Sequence, residues 1–197
     1  MSRFIGFIFC LISVSTVSQD ISWGLKGGLN VSDVVLNDVV NPDLEADYKA
    51  KIGWHSGVFT ILQLDKAWSL SAELLYSRKG VNAVGTNINL NYACIPVLLK
   101  YSYSEKFRIE AGPEVGYLFL ANSRYGNVSD VYNNNLDIAI NIGCEFILTE
   151  KVFLGARFNA GFSNVIEQDT YGGSPNIKYQ NRVLQFSVGY ILGKASL

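Results

Sequence analysis

Nine charged side chains occur at alternate positions within otherwise apolar segments, and their types could do acid–base chemistry. They are Lys26, Glu73, Lys100, Arg108, Glu110, Glu114, Asp137, Glu145 and Arg157. The densest group lies in residues 107–119, where Arg108, Glu110 and Glu114 alternate with Phe107, Ile109, Val115 and Tyr117. Carboxylates beside cations can exchange protons with a substrate, so this group reads at first as a candidate active site. His55, the only histidine, offers another chemistry: joined by a serine and a carboxylate it would suit a nucleophilic hydrolase. Spacing identifies neither partner, and His55 reads as a structural residue. A zinc centre lacks even a second histidine. Asp43, Glu45 and Asp47 could hold a hard cation, but such a run reads first as a solvated loop. Gly24-Leu25-Lys26-Gly27-Gly28 has no helix after it and cannot cradle a phosphate as a glycine-rich loop does. No catalytic residue, cofactor site or metal site is expected.

The elements that must position these charges are strands. Side chains of a strand point to opposite faces in turn, and alternation of this kind marks residues 21–32, 51–64, 68–80, 88–103, 107–121, 136–149, 152–164 and 181–192. Most of these are longer than ordinary globular strands and match tilted membrane strands. Short connections (residues 65–67, 104–106 and 150–151) alternate with longer polar ones of roughly 7 to 18 residues (33–50, 81–87, 122–135 and 165–180). Tight turns therefore gather at one end and loops at the other. The pattern predicts an all-β fold: an eight-stranded antiparallel up-and-down transmembrane barrel with short periplasmic turns and long extracellular loops.

Parity then assigns faces. The apolar parity ends in aromatic residues, with Trp23, Trp68, Phe107 and Tyr190 at the turn end and Trp54, Tyr76 and Phe119 at the loop end. Two aromatic belts around an aliphatic middle fit the two membrane interfaces. The polar parity mixes the nine charges with Gly, Ser and Asn. On a soluble exported barrel it would be the solvated outside. In a membrane barrel it faces an interior just wide enough for side chains to fill, where charges must pair. Lys100 and Arg157 are the expected partners of Glu110. Phe59 and Ile61 break the pattern on the polar parity, as Asn89 and Asn91 do on the apolar one. Pro96 and Pro113 should mark bulges or bends.

The chain has 197 residues, 16 Lys and Arg against 17 Asp and Glu, and a formal charge of −1, so no field favours nucleic acid. Residues 1–18 read as a signal peptide: Arg3 precedes an apolar run, and Thr16 and Ser18 precede a cleavage site at Gln19. Residues 19–197 form the barrel domain. Cys94 and Cys144 fall on non-adjacent strands and opposite faces, which argues against a disulfide. The Asn- and Tyr-rich loops are the expected contact surface, with Tyr125, Tyr132, Tyr171 and Tyr179 able to meet a partner protein, a glycan or lipopolysaccharide.

Seven motifs in order carry a resemblance. They are Gly24-Leu25-Lys26-Gly27-Gly28-Leu29-Asn30, Gly53-Trp54-His55-Ser56-Gly57-Val58-Phe59, Ala72-Glu73-Leu74-Leu75-Tyr76-Ser77-Arg78-Lys79-Gly80, Ile95-Pro96-Val97-Leu98-Leu99-Lys100-Tyr101, Glu110-Ala111-Gly112-Pro113, Gly155-Ala156-Arg157-Phe158-Asn159 and Val188-Gly189-Tyr190. Together they resemble the PorT-like outer-membrane β-barrel family of Bacteroidota. The resemblance implies an outer-membrane barrel surrounded by lipid and lipopolysaccharide, inserted by the barrel-assembly machinery, with a founding member tied to protein secretion. Cys94 departs from the acidic residue usual before Ile95-Pro96, and residues 193–197 replace a terminal aromatic. The expected function is a non-enzymatic barrel with a side-chain-filled lumen and a structural or surface-contact role. The alternatives are a component of an envelope secretion complex and a narrow porin or ligand-binding barrel.

Overall fold

The computed structural model describes residues 20–37, 48–83, 86–129, 135–163 and 178–196. Its strands are β1 (Asp20–Asn37), β2 (Tyr48–Gln63), β3 (Trp68–Ala83), β4 (Thr86–Ser102), β5 (Phe107–Ser123), β6 (Gly126–Asn127), β7 (Leu136–Ile147), β8 (Val152–Gly161) and β9 (Lys178–Ser196). Each long strand pairs antiparallel with its neighbours, β1 closes on β9, and β4 joins β5, so eight strands form a closed barrel. The two-residue β6 only folds back on the end of β5. Closure leaves no unpaired edge, which a strand fold needs in lipid. The expected signal peptide lies outside the described residues.

Three tight turns share one device. Asp65 Oδ1 accepts from the backbone N–H of Ala67 (2.7 Å) and Trp68 (2.8 Å). Ser104 Oγ accepts from Phe107 N (3.2 Å), and Thr149 Oγ1 from Lys151 N (3.2 Å) and Val152 N (3.0 Å). Short oxygen-bearing side chains thus complete turns that two strands alone would leave with open donors.

Several sequence expectations are corrected. The connection at 81–87 is no loop: β3 and β4 pair on through Val81↔Ile88, Asn82↔Asn87 and Ala83↔Thr86, leaving two residues between them. Backbone pairing needs no apolar alternation, so the polar ends of these strands carried no signal. For the same reason β1 runs to Asn37 and β9 starts at Lys178. Neither proline makes a bulge. The ladder skips the pairs beside Pro96 and resumes in unchanged register at Leu75↔Cys94, and it does the same between Pro96↔Glu114 and Leu99↔Ala111 beside Pro113. The register shifts instead at Trp23/Gly24, Ala50/His55 and Asn91/Tyr92. The last shift places its extra residue in β5, where burial passes from Leu118 to Ala121, while β4 keeps its inward parity through Leu90, Tyr92 and Cys94, and Asn91 is buried on the other parity. Asn91 accepts a hydrogen bond from Tyr76 Oη (2.6 Å) and donates to Leu120 O (3.0 Å).

The outer face is apolar, with Leu25, Leu74, Ile95, Ile138 and Val188 among its exposed residues. Trp54 stacks on Tyr76 at the loop end (centroids 4.7 Å), and Trp68 meets Tyr101 at the turn end (4.8 Å). Cys94 and Cys144 are free thiols.

Candidate functional site

The inward parity of every strand converges on one filled interior. Small residues make room for large ones there. A Cβ on Gly189 would come within 2.1 Å of the Phe153 ring, and one on Gly24 within 2.7 Å of the Phe59 ring, apart from the backbone it would also strike. Glycine at these positions lets the two aromatic rings enter the barrel.

Eight of the nine sequence-predicted charges are buried, and Arg108 is nearly so, its side chain 14% exposed. Seven of them form one continuous chain. Lys26 lies 3.0 Å from Glu73, Glu73 2.9 Å from Arg157, and Arg157 2.8 Å from Glu110. Glu110 then reaches Lys100 (3.1 Å), Lys100 reaches Glu145 (2.6 Å), and Glu145 reaches Arg108 (3.3 Å). Arg157 holds both its carboxylates through separate edges: Nε donates to Glu110 (2.8 Å), while Nη1 and Nη2 donate to Glu73 (3.0 and 2.9 Å). That fork geometry is why arginine, not lysine, suits the centre.

Glu114 and Asp137 belong to a second cluster nearer the loops, around a cation that the sequence reading missed. Lys79 lies 3.3 Å from Glu114 and 3.4 Å from Asp137. Asn141 donates to Glu114 (3.1 Å), and Asn181 donates to Asp137 (2.9 Å) and to the Tyr92 hydroxyl (3.1 Å). Lys79 continues the parity of Glu73 and Ser77. The adjacent Arg78, which turns away to donate from Nε to Asn89 (3.1 Å), hid that signal. The two clusters together hold five cations and five carboxylates, an electrically neutral interior.

An apolar cluster packs against these charges toward each end of the barrel. Phe59, Ile61 and Phe153 pack together at the turn end, with the two rings edge to face at 5.4 Å. Leu75, Leu90, Tyr92, Cys94, Leu118 and Ala121 pack at the loop end. The misplaced parity of Phe59 and Ile61 was therefore a signal of a plug. Lys26, Lys100 and Arg108 all lie within 5.9 Å of the Phe153 ring centroid, so this ring also meets cations through its π face.

His55 is buried beside Asn30, with Nδ1 2.8 Å from Asn30 Oδ1. It faces the lumen, and the group that meets its Nδ1 is an amide oxygen rather than a carboxylate. Of the tyrosines expected in loops, Tyr125 is exposed between β5 and β6, whereas Tyr179 lies in β9 and pairs through its backbone with Leu36 of β1. Tyr132 and Tyr171 lie outside the described residues, as do Asp43, Glu45 and Asp47.

Comparison with known proteins places this geometry. Residues 17–167 match the family described as outer membrane protein beta-barrel domain. No curated protein sequence matches the chain. Among solved structures, Neisserial surface protein A is 8% identical with a TM-score of 0.52, over 85% of this chain and 96% of that one. The attachment invasion locus protein Ail of Yersinia pestis, solved with the heparin analogue sucrose octasulfate, is 12% identical with a TM-score of 0.50, over 89% and 100% of the two chains. At such identities the likeness is one of fold.

Proposed function

Because the chain belongs to the outer membrane protein beta-barrel domain family, and so resides in the bacterial outer membrane, we propose that it is a non-enzymatic, non-conducting barrel. It acts through its outer surfaces, with the loops meeting lipopolysaccharide, a glycan or an envelope protein. The surrounding lipid and the barrel-assembly machinery are its general partners.

The observation that carries this reading is the filled interior. Ten charged groups, five of each sign in two clusters, fill the lumen from Arg108 near the turn-end mouth to Lys79 beside Tyr92, and an apolar cluster packs against them toward each end. A conducting lumen needs a continuous polar, hydrated path, and apolar constrictions oppose one. Paired charges buried at this depth serve packing and register rather than proton transfer to a substrate. The interior supports the filled-barrel reading over the narrow-porin alternative.

Liposome swelling tests it. Vesicles carrying the refolded barrel should not swell in small sugars faster than empty ones. Swelling that scales with barrel content would overturn the reading. A place in an envelope secretion complex is a narrower form of the same proposal. It rests on the motif resemblance and predicts co-purification of one stoichiometric secretion protein from detergent extracts.

A further inference from the structure

At the turn end the barrel opens into a cavity of about 420 Å³, lined on its inner side by Phe153 and Ile61. Arg108 reaches it from inside the barrel, and Lys66, Lys194, Glu105 and Glu150 line it from the turns and the end of β9. The chain from Lys26 to Arg108 contains four cations and three carboxylates and ends in a cation at each terminus, Arg108 being the one at the cavity. Arg108 Nη2 lies 3.3 Å from one oxygen of Glu145 without a hydrogen bond to it, while Lys100 holds the other oxygen at 2.6 Å. Arg108 Nε is buried with no hydrogen-bond partner. Arg108 thus keeps an unpartnered donor at the point where the interior meets the cavity.

The two lysines do not share that position. They also border a neighbouring recess lined by Asp20 and Asp65, and Glu105 and Glu150 offset their charge in the cavity itself. Hydroxyls of Ser22, Ser102 and Thr149 add donors, while Ile147 and Ile191 add apolar wall. A guanidinium edge with hydroxyls beside it is suited to an oxyanion.

We propose that this mouth is a binding site for a small oxyanion, carboxylate or phosphate, carried on a short apolar stem, with Arg108 as its principal ligand. By the orientation of the barrel the molecule arrives from the periplasmic side. The site needs no open lumen, so it stands or falls independently of the conduction reading.

The test is NMR titration of the full barrel in detergent micelles, with inorganic phosphate in one arm and hexanoate in the other. The Arg108 side-chain resonance should shift and saturate. Tighter hexanoate binding identifies a carboxylate on an apolar stem, and tighter phosphate binding identifies a phosphate. Arg108→Gln should weaken binding by about tenfold or more, whereas Lys66→Gln with Lys194→Gln should weaken it less. Should Arg108→Gln fail to fold, Arg108→Lys keeps the charge without the fork, and the unaltered protein's own Arg108 signal still decides. An Arg108 signal that does not move, or shifts that never saturate and spread over surface lysines, would overturn the proposal.

Discussion

Arg157 binds Glu110 and Glu73 at once, so its loss leaves two carboxylates buried without their main partner. Removing one member of a buried ion pair costs about 3–5 kcal/mol, because the other charge stays behind desolvated. Arg157→Met should therefore destabilise the barrel by about that amount in urea unfolding from lipid vesicles; a loss below about 1 kcal/mol would contradict the pairing. The Lys100–Glu110 contact needs a gentler test. Charge reversal would set Glu110→Lys against Arg157 and Lys100→Glu against Glu145, each of them a close neighbour of the wild-type pair. A cycle of Lys100→Met and Glu110→Gln avoids that. The double variant should be less destabilised than the sum of the singles, with coupling of roughly 1–3 kcal/mol; strict additivity would deny the contact.

At the scale of elements, the turns carry a pH signature. The backbone N–H groups of Trp68 and Ala67 hold the exposed Asp65 carboxyl below its usual range. A depressed folded-state value means that the turn's contribution is present above the ordinary carboxylate pKa and is lost as pH falls through the lowered one. Carbon-13 titration of Asp65 should give a midpoint under the ordinary value, and Ala67→Pro, which removes one donor, should move it back up; no movement would contradict the turn. Much of this architecture was legible in the sequence. The alternation in β5, β7 and β9 set their faces directly, because lipid on one side and a crowded interior on the other demand opposite residue types at successive positions. What escaped had physical reasons. The extensions of β1, β3, β4 and β9 are set by backbone pairing, which needs no apolar–polar alternation, and Asp33-Val34-Val35-Leu36-Asn37 in β1 shows none. The bulge opposite Asn91/Tyr92 inverts the parity of β5 between Leu118 and Ala121, and Lys79 was hidden beside Arg78. Phe59 and Ile61 looked like errors of parity because an apolar plug inside a polar lumen breaks the rule that reveals the barrel.

For the whole molecule, the apolar belt and the aromatic girdles describe a barrel that lives in a membrane, and the filled interior is the basis for the proposal that it is closed along its axis. The closure depends on Phe153, which fits only because Gly189 has no side chain, and on the opposite layer around Tyr92. Replacing Phe153 by Ala should loosen the turn-end layer, yet the charge network and the loop-end layer should still block ions. The central claim is that the unaltered barrel does not conduct, and single-channel recording in planar bilayers tests it most directly. A flat baseline is expected from fully inserted protein, for both the wild type and Phe153→Ala. Stable, ohmic current steps from the wild-type barrel would contradict it.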